Sequence, residues 1–184
     1  MQALKEWAVV CRALEEGRQV LLLRKGGILE YRQGFKVEHN RFMLFPTYEH
    51  QSKDHLQADY AETLDQVIKD QPATGTNRIT SYAEAIVIKE ITDRIVLKLL
   101  AKYHIWNESY VNARMDYNPD KPMSVILLRV FKLDRVILVE NRPEWVGCRS
   151  WIPLDMDLSG SPTIDDQQFN KMASQVKGVL SIAA

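Results

Sequence analysis

Cysteine, net charge and long apolar runs are all scarce in this sequence. The two cysteines, Cys11 and Cys148, form no C-x-x-C pair, and a chain of 184 residues can bury enough surface to fold without a metal or disulfide staple. Lys and Arg together number 24, equal to Asp and Glu, so the protein is not globally basic like a histone-type DNA binder. The longest apolar stretches, Val20 to Leu23 and Val125 to Leu128, are far too short to cross a bilayer.

Catalytic and targeting motifs are absent as well. The G-x-G-x-x-G and G-x-x-x-x-G-K-[ST] loops do not occur, and Ser150 does not lie in a G-x-S-x-G turn. The chain begins without the basic and apolar regions of a signal peptide. We therefore expect a cytoplasmic protein that makes no membrane contact, predict no cofactor, and leave open whether it is an enzyme.

In the first half of the chain, short apolar runs predict strands. Trp7 to Leu14 and Gln19 to Arg24 flank Gly17, and this arrangement predicts a β-hairpin. The spacing of Leu4, Trp7, Val10 and Leu14 also fits a helix, but the β-branched residues and the glycine favour a strand. Two further strands are expected at Phe35 to Glu38 and at Arg41 to Phe45, where a Pro-Thr pair ends the second. A surface helix capped by Ser52 is then expected from about Lys53 to Lys69, followed by a loop over 72–77.

The second half is predicted to contain strands and helices of mixed order. They are a strand at Ala83 to Ile91, a helix opened by Thr92 and Asp93, a helix capped by Asn107, strands at Met123 to Leu133 and Val136 to Val139 separated by Asp134 and Arg135, a short strand at Trp145 to Ile152, and a terminal helix at Thr163 to Leu180.

The clustering of these strands favours an α+β fold over a doubly wound parallel sheet. We expect an antiparallel or mixed sheet, either open or curled into a small PUA-like barrel, with flanking helices and a C-terminal helix. Residues 1–154 are predicted to form a single α+β domain. Residues 155–184 are predicted to be a linker and a helix that packs on this domain or on a protein partner.

Charge is distributed unevenly along the chain. Residues 1–48 carry eight basic and five acidic side chains and residues 71–154 carry twelve and nine, whereas residues 49–70 carry two and six. The strand-rich parts are therefore mildly basic and the predicted surface helix is acidic. Such a surface suits a phosphate-bearing partner, although ordinary solvated helix charge explains the same excess of a few charges.

Polar residues at the ends of predicted strands form the first two candidate sites. Arg24 and Lys25 precede a Gly-Gly pair, and positive charge beside exposed backbone N–H groups suits an anion. His50 and Gln51 follow a strand in the same way, so they are candidates for hydrogen bonding to a ligand at a site rim. The H-x4-H spacing of His50 and His55 is not a zinc pattern, and we predict no metal site.

Aromatic and cationic residues of the second half form the next candidate. His104 and Trp106 precede a helix on which Tyr110 and Arg114 are four residues apart. A ring and a guanidinium on one helix face can stack on a base or hold a carboxylate. A helix that packs on the sheet, with His104 as a satisfied polar contact, explains the same pattern.

A cation and a tryptophan complete the candidate ligand-binding residues. Arg129 lies inside an apolar strand, where a guanidinium must either be paired or line a cavity. Trp151 provides a platform for stacking or, alternatively, part of the core. The carboxylates that could pair with Arg129 are Glu38, Glu84 and Glu90.

Five stretches of the sequence carry a resemblance to a known family. They are Ala3 to Val10, Leu22 to Ile28, Phe45 to Thr47 with His50 and Gln51, His104 to Trp106, and Gly147 and Cys148 with Ser150 and Trp151. Together they resemble a bacterial, notably cyanobacterial, family known as domain of unknown function family 1802. The resemblance covers most of residues 3–154 and implies no activity, while the terminal helix from Thr163 looks like an addition.

The order of elements is also similar to PUA-like and ASCH-like barrels. That resemblance implies a cleft lined by basic and aromatic residues that binds RNA or modified bases. No ASCH signature motif is present in the sequence, so the likeness is one of fold alone.

Three functions remain open at this stage. The first is a binding module for RNA or a nucleotide-like anion that uses the basic and aromatic residues named above. The second is a regulatory adaptor that binds a protein partner through exposed tryptophans and the terminal helix. The third is a metal-dependent phosphodiesterase in which Glu38, Glu49 and Gln51 resemble the acidic arrangement of restriction endonucleases, although the usual lysine is missing.

Overall fold

A mixed β-sheet with helices around it organises the chain. The computed structural model describes residues 2–25, 39–147, 149–154, 156 and 158–181. The strands of these residues are β1 (Gln2–Trp7), β2 (Leu21–Arg24), β3 (Arg41–Thr47), β4 (Thr76–Ile91), β5 (Met123–Glu140), β6 (Trp151–Pro153) and β7 (Gly160–Pro162). The helices are α1 (Ala8–Glu15), α2 (Ala61–Lys69), α3 (Arg94–Leu99), α4 (Glu108–Asp116) and α5 (Asp166–Ser181).

The strands form one sheet in the order β2-β5-β4-β3-β1-β6, with β7 paired to β5. β1 and β3 run parallel, with Lys5 opposite Phe45, and the other described pairs are antiparallel. The α+β class and the mixed sheet predicted from the sequence are confirmed. Among the described residues the sheet stays open, because its edge strands β2 and β6 do not pair with each other.

The predicted hairpin at the start of the chain is wrong. Residues from Ala8 onward form helix α1, whose buried face carries Val9, Val10, Ala13 and Leu14. Gly17 has φ +67° and follows the helix, where its N–H donates to Leu14 O (3.1 Å) while the N–H of the next residue donates to Ala13 O (3.0 Å). These two bonds are a Schellman C-cap, so the glycine that suggested a hairpin turn instead ends a helix.

Long-range pairing also changes the extent of other elements. The expected helix over 53–69 is reduced to α2 and two short 3₁₀ turns, because Gln57 N–H donates to Ile105 O (2.8 Å) and Asn107 N–H donates to His55 O (3.0 Å). The expected strand from Trp145 to Ile152 is limited to β6, since the chain around Gly147, at φ +88°, turns instead of extending. β4 begins inside the segment expected to be a loop.

β5 is one strand rather than the two predicted. The expected break at Asp134 and Arg135 is a register shift, since Ile79 pairs with Ile137 while Ser81 pairs with Lys132. β5 therefore has extra residues opposite a short stretch of β4, which is how a bulge bends a strand without ending it.

Helix starts in the second half follow the predicted caps. Asp93 accepts a hydrogen bond from Ile95 N–H (2.7 Å) at α3, and Asn107 accepts one from Tyr110 N–H (2.9 Å) at α4. α5 places Phe169, Val176 and Leu180 in the main core, as the spacing of its apolar residues predicted.

The two edges of the sheet approach each other through one side chain. Arg24, at the end of β2, donates to Glu6 Oε2 of β1 (3.1 Å) and to Ser150 Oγ just before β6 (2.6 Å). The sheet thus curls far enough for a guanidinium to span its edges. The strand expected at Phe35 to Glu38, the Gly26-Gly27 pair and Cys148 lie outside the described residues.

Candidate functional site

Arg24, Lys25 and Arg114 are near one another in the structure. Lys25 is buried and donates from Nζ to Met115 O (2.6 Å) at the end of α4. Burial lowers the pKa of Lys25, and the positive charges of Arg114 and Arg94 lower it further. Burial also raises the pKa of the Tyr110 phenol, whereas the positive charges of Arg114 and Arg24 lower it. These two guanidinium groups therefore lie within electrostatic range of the phenol.

Trp106 belongs to an aromatic cluster beside these cations. Its ring stacks on Tyr110 at 4.3 Å between centroids and meets Trp7 edge-on at 5.0 Å. The ring centroids of His55 and Tyr110 are 4.9 Å apart. Trp106 is buried, so in this structure its ring is part of the core as well as part of the wall of a cavity described below.

Arg129 and Trp151 have structural contacts of their own. Arg129 is buried on β5, donates to Asp166 Oδ1 (2.6 Å) and lies 4.5 Å from the ring centroid of Phe169. It therefore holds α5 against the sheet, and its carboxylate partner is none of the glutamates considered from the sequence. Trp151 packs edge-on against Phe42 at 5.1 Å.

His50 and Gln51 lie in the turn after β3 and have different surroundings. His50 is exposed and has φ +63°. Gln51 accepts a hydrogen bond at Oε1 from Val9 N–H (2.9 Å), in the first turn of α1. Gln51 is thus a side-chain cap for a helix 42 residues away in sequence, which satisfies one of the donors that a helix start leaves free.

A cleft opens at the end of the sheet where β3 ends and β4 begins. Its volume is about 250 Å³, and its walls include the segments 45–49, 71–77 and 141–147. Asn77 is buried there and donates from Nδ2 to Pro46 O (2.7 Å). The polar lining residues of the cleft are Lys5, Thr47, Tyr48, Glu49, Gln71, Thr74, Thr76, Asn77, Asn141, Arg142 and Trp145.

Trp145 is the most unusual member of this cleft. It is buried, and its indole Nε1–H has no hydrogen-bond partner among the described residues. The guanidinium of Arg142 lies 5.2 Å from the ring centroid, in range for a cation–π contact. Lys5 donates from Nζ to the carbonyls of Trp145 and Gly147 (both 2.8 Å), which fixes this loop against β1.

A family model described as a domain of unknown function, DUF1802, matches residues 3–175. The chain belongs to this family. The match continues beyond residue 154 into α5. No curated protein matches the sequence.

Solved structures similar to this DUF1802 chain are ASCH structures, the class that the order of elements also resembles. The crystal structure of ASCH from Zymomonas mobilis is 12% identical, covers 78% of this chain and 88% of its own, and has a TM-score of 0.43. Two mutant proteins of that ASCH are 13% identical with TM-scores of 0.36. A likeness at these scores carries no conclusion about what the DUF1802 chain binds.

Other features of this DUF1802 chain bear on the remaining hypotheses. Within the described ranges, no group of three or more His, Cys, Asp or Glu side chains could hold a metal ion. Glu49 lines the cleft, whereas Glu38 lies outside the described residues. None of the described helices is long and apolar enough to cross a membrane.

Sequence reasoning missed Lys5, Tyr48 and Arg142 as cleft residues. Each comes from a different segment, so no local motif unites them. One local signal was available for Arg142: it lies between Asn141 and Pro143, a turn pattern directly after a long strand, and such turns often carry functional side chains.

Proposed function

We propose that this protein is a binding module for RNA or a nucleotide-like anion, and that the ligand lies in the cleft at the end of β3. The observation that carries this proposal is the buried indole N–H of Trp145, which lacks a partner among the described residues in a cleft lined by Lys5 and Arg142. A buried donor without a partner is costly, and an oxygen acceptor on a ligand removes that cost.

The chemistry of the cleft matches a phosphorylated nucleoside. Arg142 offers a planar fork of donors that suits phosphate, and the ring of Trp145 holds the guanidinium in place. The hydroxyl of Thr47 and the phenol of Tyr48 add groups that can bind sugar or base. A volume of about 250 Å³ suits one nucleotide unit rather than a duplex, which agrees with recognition of a single strand.

The roles of Arg24, Lys25 and Arg114 as ligand contacts stay predictions. Lys25 is buried and donates to Met115 O, and Arg24 donates to Glu6, so the proposed ligand site in the cleft does not rest on these two cations. The adaptor hypothesis also stays a prediction, and the apolar face of α5 that it would use is buried against the core through Phe169 and Val176.

Salt-dependent binding of a single-stranded RNA tests the proposal. Fluorescence anisotropy with labelled octauridylate, from about 50 to about 200 mM salt, gives the slope of log affinity against log salt. We expect Arg142→Gln to weaken binding and to make the slope shallower by about 0.7, the value for one lost phosphate contact on a single strand. Arg135→Gln is the matched control, since Arg135 is exposed on β5 and does not line the cleft.

Two further measurements test whether the indole N–H of Trp145 and a nucleoside take part in binding. Trp145→Phe keeps a ring for Arg142 but removes the N–H, so it should weaken binding without changing the salt slope. Displacement of the RNA by AMP, but not by inorganic phosphate at the same concentration, would show that a nucleoside is recognised. Absence of binding at low salt, or equal effects of the substitutions at Arg142 and Arg135, would overturn the proposal.

A further inference from the structure

A second cavity lies between α3 and α4 and shares no lining residue with the cleft. Its volume is about 520 Å³. The 3₁₀ turn Ala101–Tyr103 and the segment after it form part of the wall. Its apolar lining comes from Ile95, Leu97, Ala101, Trp106 and Val111. A space of this size and character is typical of a small-molecule site.

His104 supplies a hydrogen-bond donor in this apolar wall. His104 is 2% exposed and is one of the residues that line the cavity. Its Nδ1 accepts a hydrogen bond from Trp106 N–H (3.2 Å), which leaves the proton of the neutral ring on Nε2. Nε2 is buried and has no partner in the part of the chain that the structure describes.

The charged residues around the cavity are already paired with each other. Arg94 donates to Asn112 Oδ1 (3.1 Å) and to Asp116 Oδ1 (2.5 Å). Lys98 donates to Glu108 Oε1 (3.1 Å). A carboxylate ligand would have to break one of these pairs or lie buried against a neutral imidazole, so a neutral ligand fits better.

The rim of the cavity also exposes apolar surface. Ile95 lines the cavity and is 70% exposed on α3. A ligand seated between the helices would cover this side chain and remove apolar area from water.

We propose that this cavity binds a neutral, mostly apolar small molecule whose single carbonyl-type oxygen accepts a hydrogen bond from His104 Nε2–H. The apolar body lies against Leu97, Val111 and the ring of Trp106. This site is independent of the RNA-binding proposal, because the two share neither residues nor ligand chemistry.

Two probes of matched shape test the hydrogen bond. Benzophenone and diphenylmethane have the same two rings, but only benzophenone carries a carbonyl acceptor. Titrations of the full chain followed by ¹H–¹⁵N NMR should show that benzophenone binds about tenfold more tightly, which is the expected advantage of satisfying one buried donor. Contacts from the probe rings to the methyl groups of Leu97 and Val111 should locate both compounds in the cavity.

Two variants distinguish the contribution of the hydrogen bond from His104 from the contribution of the cavity's shape. His104→Phe removes the donor and keeps an apolar ring, so we expect the preference for benzophenone to disappear while diphenylmethane still binds. Ile95→Trp places a larger ring on the exposed rim and should weaken both probes. Leu138→Trp is the matched control, since Leu138 is 71% exposed on β5 and does not line the cavity.

The native protein alone can refute the proposal, even if His104→Phe fails to fold. Equal affinity for the two probes would show that His104 donates to neither. Absence of saturable binding, or binding that Ile95→Trp and Leu138→Trp affect equally, would show that the cavity is not the site.

Discussion

At the scale of single residues, buried polar groups without partners are the most informative feature of this molecule. Trp145 lines the cleft and His104 lines the second cavity, and each carries a buried ring nitrogen, Nε1 and Nε2 respectively, that has no hydrogen-bond partner among the described residues. The surroundings of His104 are so apolar that burial lowers its pKa to about 4. The histidine is therefore neutral at physiological pH.

This neutral histidine predicts a dependence of stability on pH. The pKa of His104 is about 4 in the folded chain and 6.5 ordinarily, so the unfolded chain binds a proton first as pH falls. The free energy of unfolding should decrease as pH falls from about 6.5 to about 4, by about 3 kcal/mol from this residue alone. Urea denaturation across this range measures it.

The variant His104→Phe isolates that contribution. Carboxylates titrate in the same range in both proteins, so the difference between the two curves belongs to His104. We expect the variant to lose less stability on acidification than the native protein. Parallel curves would mean that His104 is equally protonated in the folded and unfolded chains.

At the scale of elements, local signals predicted the helix starts and missed what distant segments do. Asp93 and Asn107 cap their helices as their residue types predict. Gly17 was compatible with a hairpin turn and with a helix C-cap, because both need a positive φ. Only the path of the preceding residues decided between them. The N-terminal cap of α1 comes from Gln51, which no local pattern can reveal.

Gly160 allows the backbone of β7 to lie very close to the backbone of β5. A Cβ atom at this position would lie 2.2 Å from Lys132 O and 2.8 Å from Lys132 C, which are backbone atoms that cannot move aside. We expect Gly160→Ala to separate the two strands and to lower the free energy of unfolding by about 1–3 kcal/mol. Chemical denaturation gives the value, and amide exchange at Asp134, whose N–H donates to Ser159 O (3.0 Å), should show the local opening.

Gly178 provides the opposite control within α5. A Cβ atom there meets nothing within 4 Å, and alanine favours a helix interior over glycine by roughly 0.5–1 kcal/mol. We therefore expect Gly178→Ala to stabilise the protein. Unchanged or higher stability of Gly160→Ala would argue against the close packing described for β7.

At the scale of the whole molecule, Arg24 joins the ends of an open sheet. Its partner Glu6 is buried, and the guanidinium also bonds Ser150 beside β6. Removing one member of a buried ion pair leaves the other charge without compensation. We expect Glu6→Gln to lower the free energy of unfolding by about 3 kcal/mol, as measured by denaturation.

A surface pair is the control for this prediction. Lys53 and Asp65 also form an ion pair, but both side chains are about half exposed. Asp65→Asn should change stability by less than about 1 kcal/mol, because water already solvates both charges. A similar loss in Glu6→Gln and Asp65→Asn would show that Arg24 does not bind the two sheet edges together.

The way the whole sheet assembles explains why the candidate site was only partly predictable from the sequence. His104 and Trp106, which a short motif singled out, are two residues apart and both line one cavity, while their role as ligand contacts stays a prediction. The cleft is assembled from β1, the end of β3 and the loop after β5, and its members meet only once the sheet has formed. Arg129, chosen because a cation in an apolar strand needs a partner, finds it in α5.

The cap that Gln51 provides links the motions of two regions. The turn after β3 carries both Gln51 and Glu49, and Glu49 lines the cleft. Fraying of the first turn of α1 at Val9 breaks the hydrogen bond to Gln51 and so separates the helix start from this turn. The rate at which the Val9 amide exchanges with deuterated water therefore reports how rigidly the turn that carries Glu49, a residue lining the cleft, is held against α1.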